Sequence, residues 1–304
     1  MTISQGQYST LLTPVIYHHF ELGRNEVPSL RARLFNVQDS NRATEQGTGL
    51  GGMSQDPWNN YQSNRTKGRL TFDQLYTQTY THVEYPVQVV IEKKLLLNDQ
   101  YGKIRQIASR VGISAEQKME VDAAGLLNNA FNTAAAYLFS DGKPVCSATH
   151  PKGPHQSGTY SNRGTSALTA DSVSATRIAM MRFKDDTGNE IGVMPDELWV
   201  PPELVDQAEK IVRSVQDPGN ANNDINPQNG RFTVIPWLRM TDTTNWFMAS
   251  SMWRRQAANW YNREQTVPMI VDENTTEIVY EFKLHYSYGI DDWRWIFGHE
   301  VAGS

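Results

Sequence analysis

The 304-residue sequence holds one cysteine, Cys146, so no internal disulfide is available and folding in a reducing compartment is expected. It has no run approaching 18 consecutive apolar residues, and no membrane span is expected. The opening MTISQGQYST has neither a basic segment nor an apolar stretch, so no secretory signal is read there and cytoplasmic synthesis is expected. Positive charge is scarce as well. With 28 Lys/Arg against 33 Asp/Glu the net charge is −5, which argues against nucleic-acid binding through a large basic face. What charge there is lies unevenly: residues 1–110 carry 12 basic and 9 acidic groups, the remainder 16 and 24. A mildly basic front third and an acidic remainder can attract each other between copies of the chain.

Hydrophobic residues make up 39% and the mean hydropathy is −0.55, polar but within the globular range. The length suffices for two domains, or one with large excursions. The first 70 residues build little that reads as a core. Residues 41–69 contain five glycines and no helical period, a loop long enough to be functional, flexible or ordered by a neighbour. Val83, Tyr85, Val87, Val89 and Ile91 then alternate as in a strand, so the loop reads as the tip of a two-stranded excursion.

Ile104, Ile107, Ala108 and Val111 predict a helix stopping near Gly112. Ser114 with Gln117 resembles a capping box. Met119, Ala123, Leu127, Ala130, Ala134 and Leu138 then hold one face of a helix over 115–138, roughly 36 Å long at about 1.5 Å per residue. Thr169 and Asp171 are placed to cap the helix SVSATRIAMMRF. DELWV (196–200) reads as a buried strand. Pro201–Pro202 opens a helix with Leu204, Ala208, Ile211, Val212 and Val215 as its stripe. RFTVI and NWFMAS read as strands, and EIVYEFKLHYSYG as a long amphipathic one. The fold class is α+β, without βαβ regularity or internal repeats.

Three motifs invite chemistry. SDGKPVCSATHPKGPHQSGTYSN (140–162) holds Cys146, His150 and His155. Pro144, Pro151, Gly153, Pro154 and Gly158 rule out the helix that would pair Cys146 with His150, and no further ligands complete a zinc site. A thiol nucleophile needs a lowered pKa and an oriented base, so a small buried cysteine anchoring an ordered loop is the expectation. A Cys-dependent hydrolase using Cys146 and His150 stands as the enzymatic alternative. DTG (186–188) has no second copy and suits a tight turn. GTGLGG (47–52) neither follows a strand nor opens a helix and reads as a flexible tip. Six of the eight tryptophans fall between Trp237 and Trp295, most of them expected in the core, as are His82 and His285.

Taken in order, YTHVEYPVQVVIEKKLLLNDQYGKI, DGKPVCSATHP, LTADSVSATRIAMMRFKDDTGNEIGVMPDELWVPPEL, NNDINPQNGRFTVIPW and DTTNWFMAS resemble the major head subunits of Mu-like tailed phages and prophages. The resemblance spans about residues 77 to 290.

This resemblance implies the Hong Kong 97-type capsid fold: an N-terminal arm (1–45), an extended two-stranded loop (46–92), a peripheral domain with a spine helix at about 115–138 (93–170), an axial domain (171–263) and return strands to the peripheral domain (264–304). It implies a non-enzymatic shell protein without cofactor or metal. Pentamers and hexamers would form the icosahedral head of a virion around double-stranded DNA. A separate scaffold protein is expected because the arm begins almost at Met1; a portal protein, and in some heads a decoration protein, are the other partners. Arm and loop lie across neighbours in this fold, which makes Arg24, Arg31, Arg33, Trp58, Tyr61, Arg65, Lys67 and Arg69 candidate intersubunit contacts. Lys67 lies where some relatives crosslink Lys to Asn, but nothing marks an Asn partner, and crosslinking is not expected. An encapsulin-like cellular shell is the alternative on the same fold.

Overall fold

The computed structural model describes residues 5–52, 58, 67, 69, 74–92, 101–153, 156–216, 225–263, 269–272 and 277–302. In chain order come α1 (Gln5–Glu26), α2 (Arg31–Leu34), β1 (Asn36–Asp39), β2 (Thr44–Leu50), β3 (Gln74–Thr81), β4 (Val83–Glu92) and α3 (Tyr101–Asn128). A hairpin of β5 (His150–Gly153) and β6 (Gln156–Tyr160) follows, then β7 (Arg163–Gly164), α4 (Ala170–Met181), β8 (Glu197–Val200), α5 (Val205–Arg213), β9 (Thr233–Pro236) and β10 (Trp246–Ala249). The chain continues through α6 (Trp253–Gln256), β11 (Ala258–Asn262), β12 (Met269–Asp272), β13 (Glu277–Ile290) and β14 (Ile296–His299).

Two mixed sheets carry the architecture. In the first, β13 is the central strand: antiparallel to β4, β11 and β12, with β1 added parallel to β11. Its Tyr280, Phe282, Leu284 and Tyr286 alternate into the core, the period-2 pattern of a strand with one face buried. The second sheet runs β7-β14-β10-β8-β9. Every residue of β8 and β10 is buried, as expected of central strands covered on both faces. The strand β14 joins this second sheet through β10, so the last strand does not return to the first. Trp237, Trp246, Trp253, Trp260 and Trp293 are buried, and Thr169 caps α4 in a reciprocal box with Ser172.

The first 70 residues contribute more core than their composition predicts. Ile16 and Phe20 of α1, with Leu34 and Phe35 beyond it, are buried in the same cluster as Ile104, Ala108 and Met119 of α3. Each large side chain so buried contributes about 1.5–3 kcal/mol. The two helices approach closely enough for backbone contact. A Cβ at Gly23 would collide with the Ser109 carbonyl, and one at Gly112 with the carbonyl of Phe20.

That crossing corrects the sequence reading of the spine helix. Gly112 does not stop a helix; it lies within one continuous 28-residue helix, about 42 Å long, because only glycine fits under α1. At the other end the helix stops at Asn128 rather than 138. The Asn128 amide donates to the Arg239 carbonyl (2.9 Å) and accepts from the Thr241 N–H (3.0 Å), and the Ala130 carbonyl accepts from the Cys146 N–H (2.8 Å). Val215 likewise lies outside its predicted helix and is exposed.

Gly112→Leu is expected to drive α1 off α3 and lower stability by at least about 2 kcal/mol. Gly102→Ala, with open space around the new methyl, should be neutral or stabilising by up to about 0.5 kcal/mol. Urea unfolding of both variants checks this; equal effects would refute the close-crossing account.

Candidate assembly surfaces

The 140–162 segment is ordered by its own hydrogen bonds. Cys146 is fully buried, its Sγ packed against Gly298, where a Cβ would clash. Burial pushes the thiol far above the ordinary cysteine range, the nearby Arg163 charge only partly opposing it. His150 directs Nδ1 at Asp141 Oδ2 (2.6 Å) and Nε2 at Asn162 Oδ1 (3.1 Å). Both ring nitrogens are thereby engaged, and neither serves Cys146 as a base. Among the described residues no group of three His, Cys, Asp or Glu is placed to hold a metal ion. His155 lies outside the described residues. The DTG motif is a turn with Gly188 at φ 92°, closed by the Asp185 N–H on the Asn189 carbonyl.

The buried His299 reaches its state by different neighbours. It lies flat on Trp246 (4.1 Å between ring centres), donates from Nε2 toward Thr176 Oγ1 (2.8 Å) and accepts the Ser166 N–H at Nδ1 (3.2 Å). Thr176 passes its own proton to the Ser172 carbonyl (2.7 Å). A neutral ring satisfies every partner, and burial lowers its pKa from 6.5 to about 4.

Of the candidate contact residues, Arg24 and Arg31 turn inward in this chain. Both reach Glu116 (3.6 and 3.0 Å), and Arg31 also lies over Trp260. One turn further along α3, the buried Glu120 accepts from Ser29 Oγ (2.6 Å) and from the Leu30 and Arg31 N–H groups (both 3.1 Å). These two glutamates fasten the chain between α1 and α2 to the long helix. Arg33, Lys67 and Arg69 are exposed, and Trp58 keeps 81% of its surface. Tyr61 and Arg65 lie outside the described residues.

GTGLGG is not a flexible tip. Gly47 and Gly49 belong to β2, which pairs antiparallel with β3. A Cβ at Gly47 would strike the Asp291 carboxylate, and one at Gly52 that of Asp185. Asp291 accepts the Tyr80 hydroxyl and the Asn259 amide (2.7 Å), while the Gly52 N–H donates to Asp186 Oδ1 (2.5 Å). Burial raises the Asp291 pKa above the usual carboxylate range, with the Tyr80 hydrogen bond opposing it. The root of the β2–β3 hairpin is thus fastened to the body on carboxylates.

One surface was not singled out in the sequence. Among the described residues β4 pairs only with β13, and its other edge is bare for ten residues. Val83, Val87 and Val90 on it are exposed. Val87 continues into an open groove of about 600 Å³ between β4 and α3, floored by Phe20, Val111, Phe282 and Leu284 and bordered by Ile107 and Arg110. Soluble monomers protect strand edges and seldom leave continuous apolar surface bare.

Known proteins place this geometry. A sequence model described as phage capsid protein matches residues 76–298. The chain belongs to the phage capsid protein family. It is a structural shell protein whose place is the virion capsid, and its α+β fold is the Hong Kong 97 type. The capsid protein is similar to that of the bacteriophage JBD30 capsid, at 16% identity over 71% of this chain and 92% of that one, with a TM-score of 0.56. It is similar to the capsid of cyanophage P-SCSP1u at 12% identity, 91% and 89% coverage and a TM-score of 0.55. A virus-like particle from Pyrococcus furiosus matches at 11% identity, 97% and 100% coverage and a TM-score of 0.54. At these identities the likeness is one of fold. No curated protein sequence matches the chain.

Two solution measurements follow. The native Cys146 thiol should resist an aromatic disulfide reagent at neutral pH and react fully in denaturant; rapid native labelling would contradict its burial. For His299 the folded pKa is lowered, so the unfolded chain binds the extra proton first. Its contribution is intact above pH 6.5 and is lost as pH falls toward about 4, by about 2 kcal/mol after allowance for partial solvation. Urea midpoints across that window should fall more steeply for the native chain than for His299→Gln.

Proposed function

We propose that the chain is the major head subunit of a Mu-like tailed phage or prophage, assembling as pentamers and hexamers into an icosahedral shell around double-stranded DNA. The observation that supports assembly is the β4 edge, unpaired among the described residues and continuous with the apolar groove beside α3. Soluble monomers seldom leave such a surface exposed, which supports its burial by another chain. Ring closure about a symmetry axis requires heterologous contacts, in which this surface meets a different face of the next copy. Many modest contacts repeated around a closed shell then give large collective stability.

The arm (1–45), extended loop (46–92), peripheral domain (93–170 and 264–304) and axial domain (171–263) are proposed on the same reading. The β2–β3 pairing supports the extended loop, and β8, β9 and β10 with α4 and α5 support the axial domain, although β7 and β14 join their sheet from outside its proposed bounds. Exposed Arg33, Trp58, Lys67 and Arg69 remain as proposed contacts to neighbours, joined by Val83 and Val87. The net charge of −5 is compatible with enclosing DNA, whose phosphates are neutralised mainly by counterions. A separate scaffold and a portal are proposed partners. The JBD30 capsid is decorated with minor capsid protein trimers, which supports a decoration protein here. The match to the Pyrococcus furiosus particle keeps a cellular shell as the second reading, distinguished by protein cargo in place of DNA.

Electron microscopy of the purified chain, with and without co-expressed scaffold, should show rings or closed shells. Val87→Lys should abolish them while changing subunit stability by less than about 1 kcal/mol, because Val87 is already exposed. Shells that assemble normally from Val87→Lys would remove the β4 edge from the proposal.

A further inference from the structure

We infer that His150 is held doubly protonated, as an imidazolium paired with Asp141, and that this buried charge locks the 140–162 segment to the end of the chain. Asn162, fully buried, supplies the argument. Its Nδ2 donates to the carbonyls of Val145 (2.8 Å), Ile296 (3.1 Å) and Trp293 (3.4 Å), while its Oδ1 accepts the Ser147 N–H (2.8 Å). Turning the amide over would aim its oxygen at three carbonyl oxygens and its NH₂ at an N–H. The network therefore fixes the amide one way round.

That Oδ1 is also the partner of His150 Nε2 at 3.1 Å, so Nε2 carries a hydrogen. On the other side Nδ1 lies 2.6 Å from Asp141 Oδ2, a separation that needs a proton between the two atoms. Imidazole is the stronger base of the two, which places that proton on Nδ1 and leaves a short charge-assisted bond to carboxylate. Trp293 lies parallel to the ring at 4.3 Å, presenting its electron-rich face to the cation. Stacking does not by itself decide the charge: His299 lies equally flat on Trp246, yet takes a backbone N–H on one nitrogen and is neutral.

The surroundings balance the assignment. His150 borders a cavity of about 320 Å³ around which Asp141, Asp291 and Asp292 face Lys152 and Arg294. Three carboxyls oppose two fixed cations in the lining, an acidic excess that favours a charged His150. Tyr76 of β3 and Tyr160 of β6 are further titratable groups close by, and Asp185 and Asp186 face Tyr160 from the neighbouring turn. Removing the proton would leave a bare nitrogen facing either Asn162 Oδ1 or the Asp141 carboxylate. The joint it would loosen connects two distant parts of the chain, because the Gly298 N–H donates to the Asn162 carbonyl and the Cys146 N–H to that of Ala130.

Nitrogen NMR of the full chain labelled in its histidines tests the inference, with His150→Gln identifying the signals. At neutral pH both nitrogens of His150 should bear hydrogen, while His299 shows one bare nitrogen. Asp141→Asn should remove the Nδ1 proton and lower the urea midpoint. A bare nitrogen on His150 in the native chain overturns the proposal, and the native spectrum decides even where a variant fails to fold. A ring that stays doubly protonated in Asp141→Asn would overturn the pairing with Asp141.

Discussion

Where Gly23 meets Ser109 and Gly112 meets Phe20, α1 and α3 touch backbone to backbone, and the course of everything after α1 depends on that contact. The crossing sets the height at which the chain leaves α1, which brings Arg24 and Arg31 over Glu116 and the start of α2 onto Glu120. From there β1 is delivered alongside β11 at the margin of the first sheet. A side chain at either glycine would lift one helix off the other. The two glutamates would then be buried without their partners, a far greater penalty than the lost packing alone.

The chain's legibility follows the range of the forces involved. The strands β8, β10 and β13 and the helices α4 and α5 were readable because their apolar period and caps lie within a few residues of each other. Gly112 was misread because its role is set by a helix some ninety residues earlier in the sequence. The end of α3 was misplaced for a similar reason: the alanines beyond Asn128 keep a helical period, but Asn128 and Ala130 are captured by Arg239, Thr241 and Cys146. Gly47 and Gly52 looked flexible because Asp291 and Asp185, which require their smallness, come from the far half of the chain.

The candidate surfaces divide in the same way. That β4 is a strand was visible in its alternating valines; that one of its edges is bare was not, since edge status belongs to the topology and not to the segment. Prolines and glycines correctly excluded a helical Cys146–His150 pair. They gave no sign of the β5–β6 hairpin or of Asn162, two of whose five polar contacts reach the Trp293 and Ile296 carbonyls and exist only once residues 293–298 are in place. Capsid proteins separate these tasks for a physical reason. The core must be satisfied within one chain, whereas the shell surface must remain incompletely satisfied until a neighbour arrives.

The position of β13 as the partner of strands 83–92, 258–262 and 269–272 also imposes an order in time. Contacts of such long sequence separation form slowly, and β4 has no partner to pair with until residues 277–286 have been synthesised. The β4 edge proposed to meet neighbours exists only after that pairing. On the proposed assembly, a nascent subunit would not present this edge while most of its chain is still being made, and the topology itself would delay association until synthesis is nearly complete.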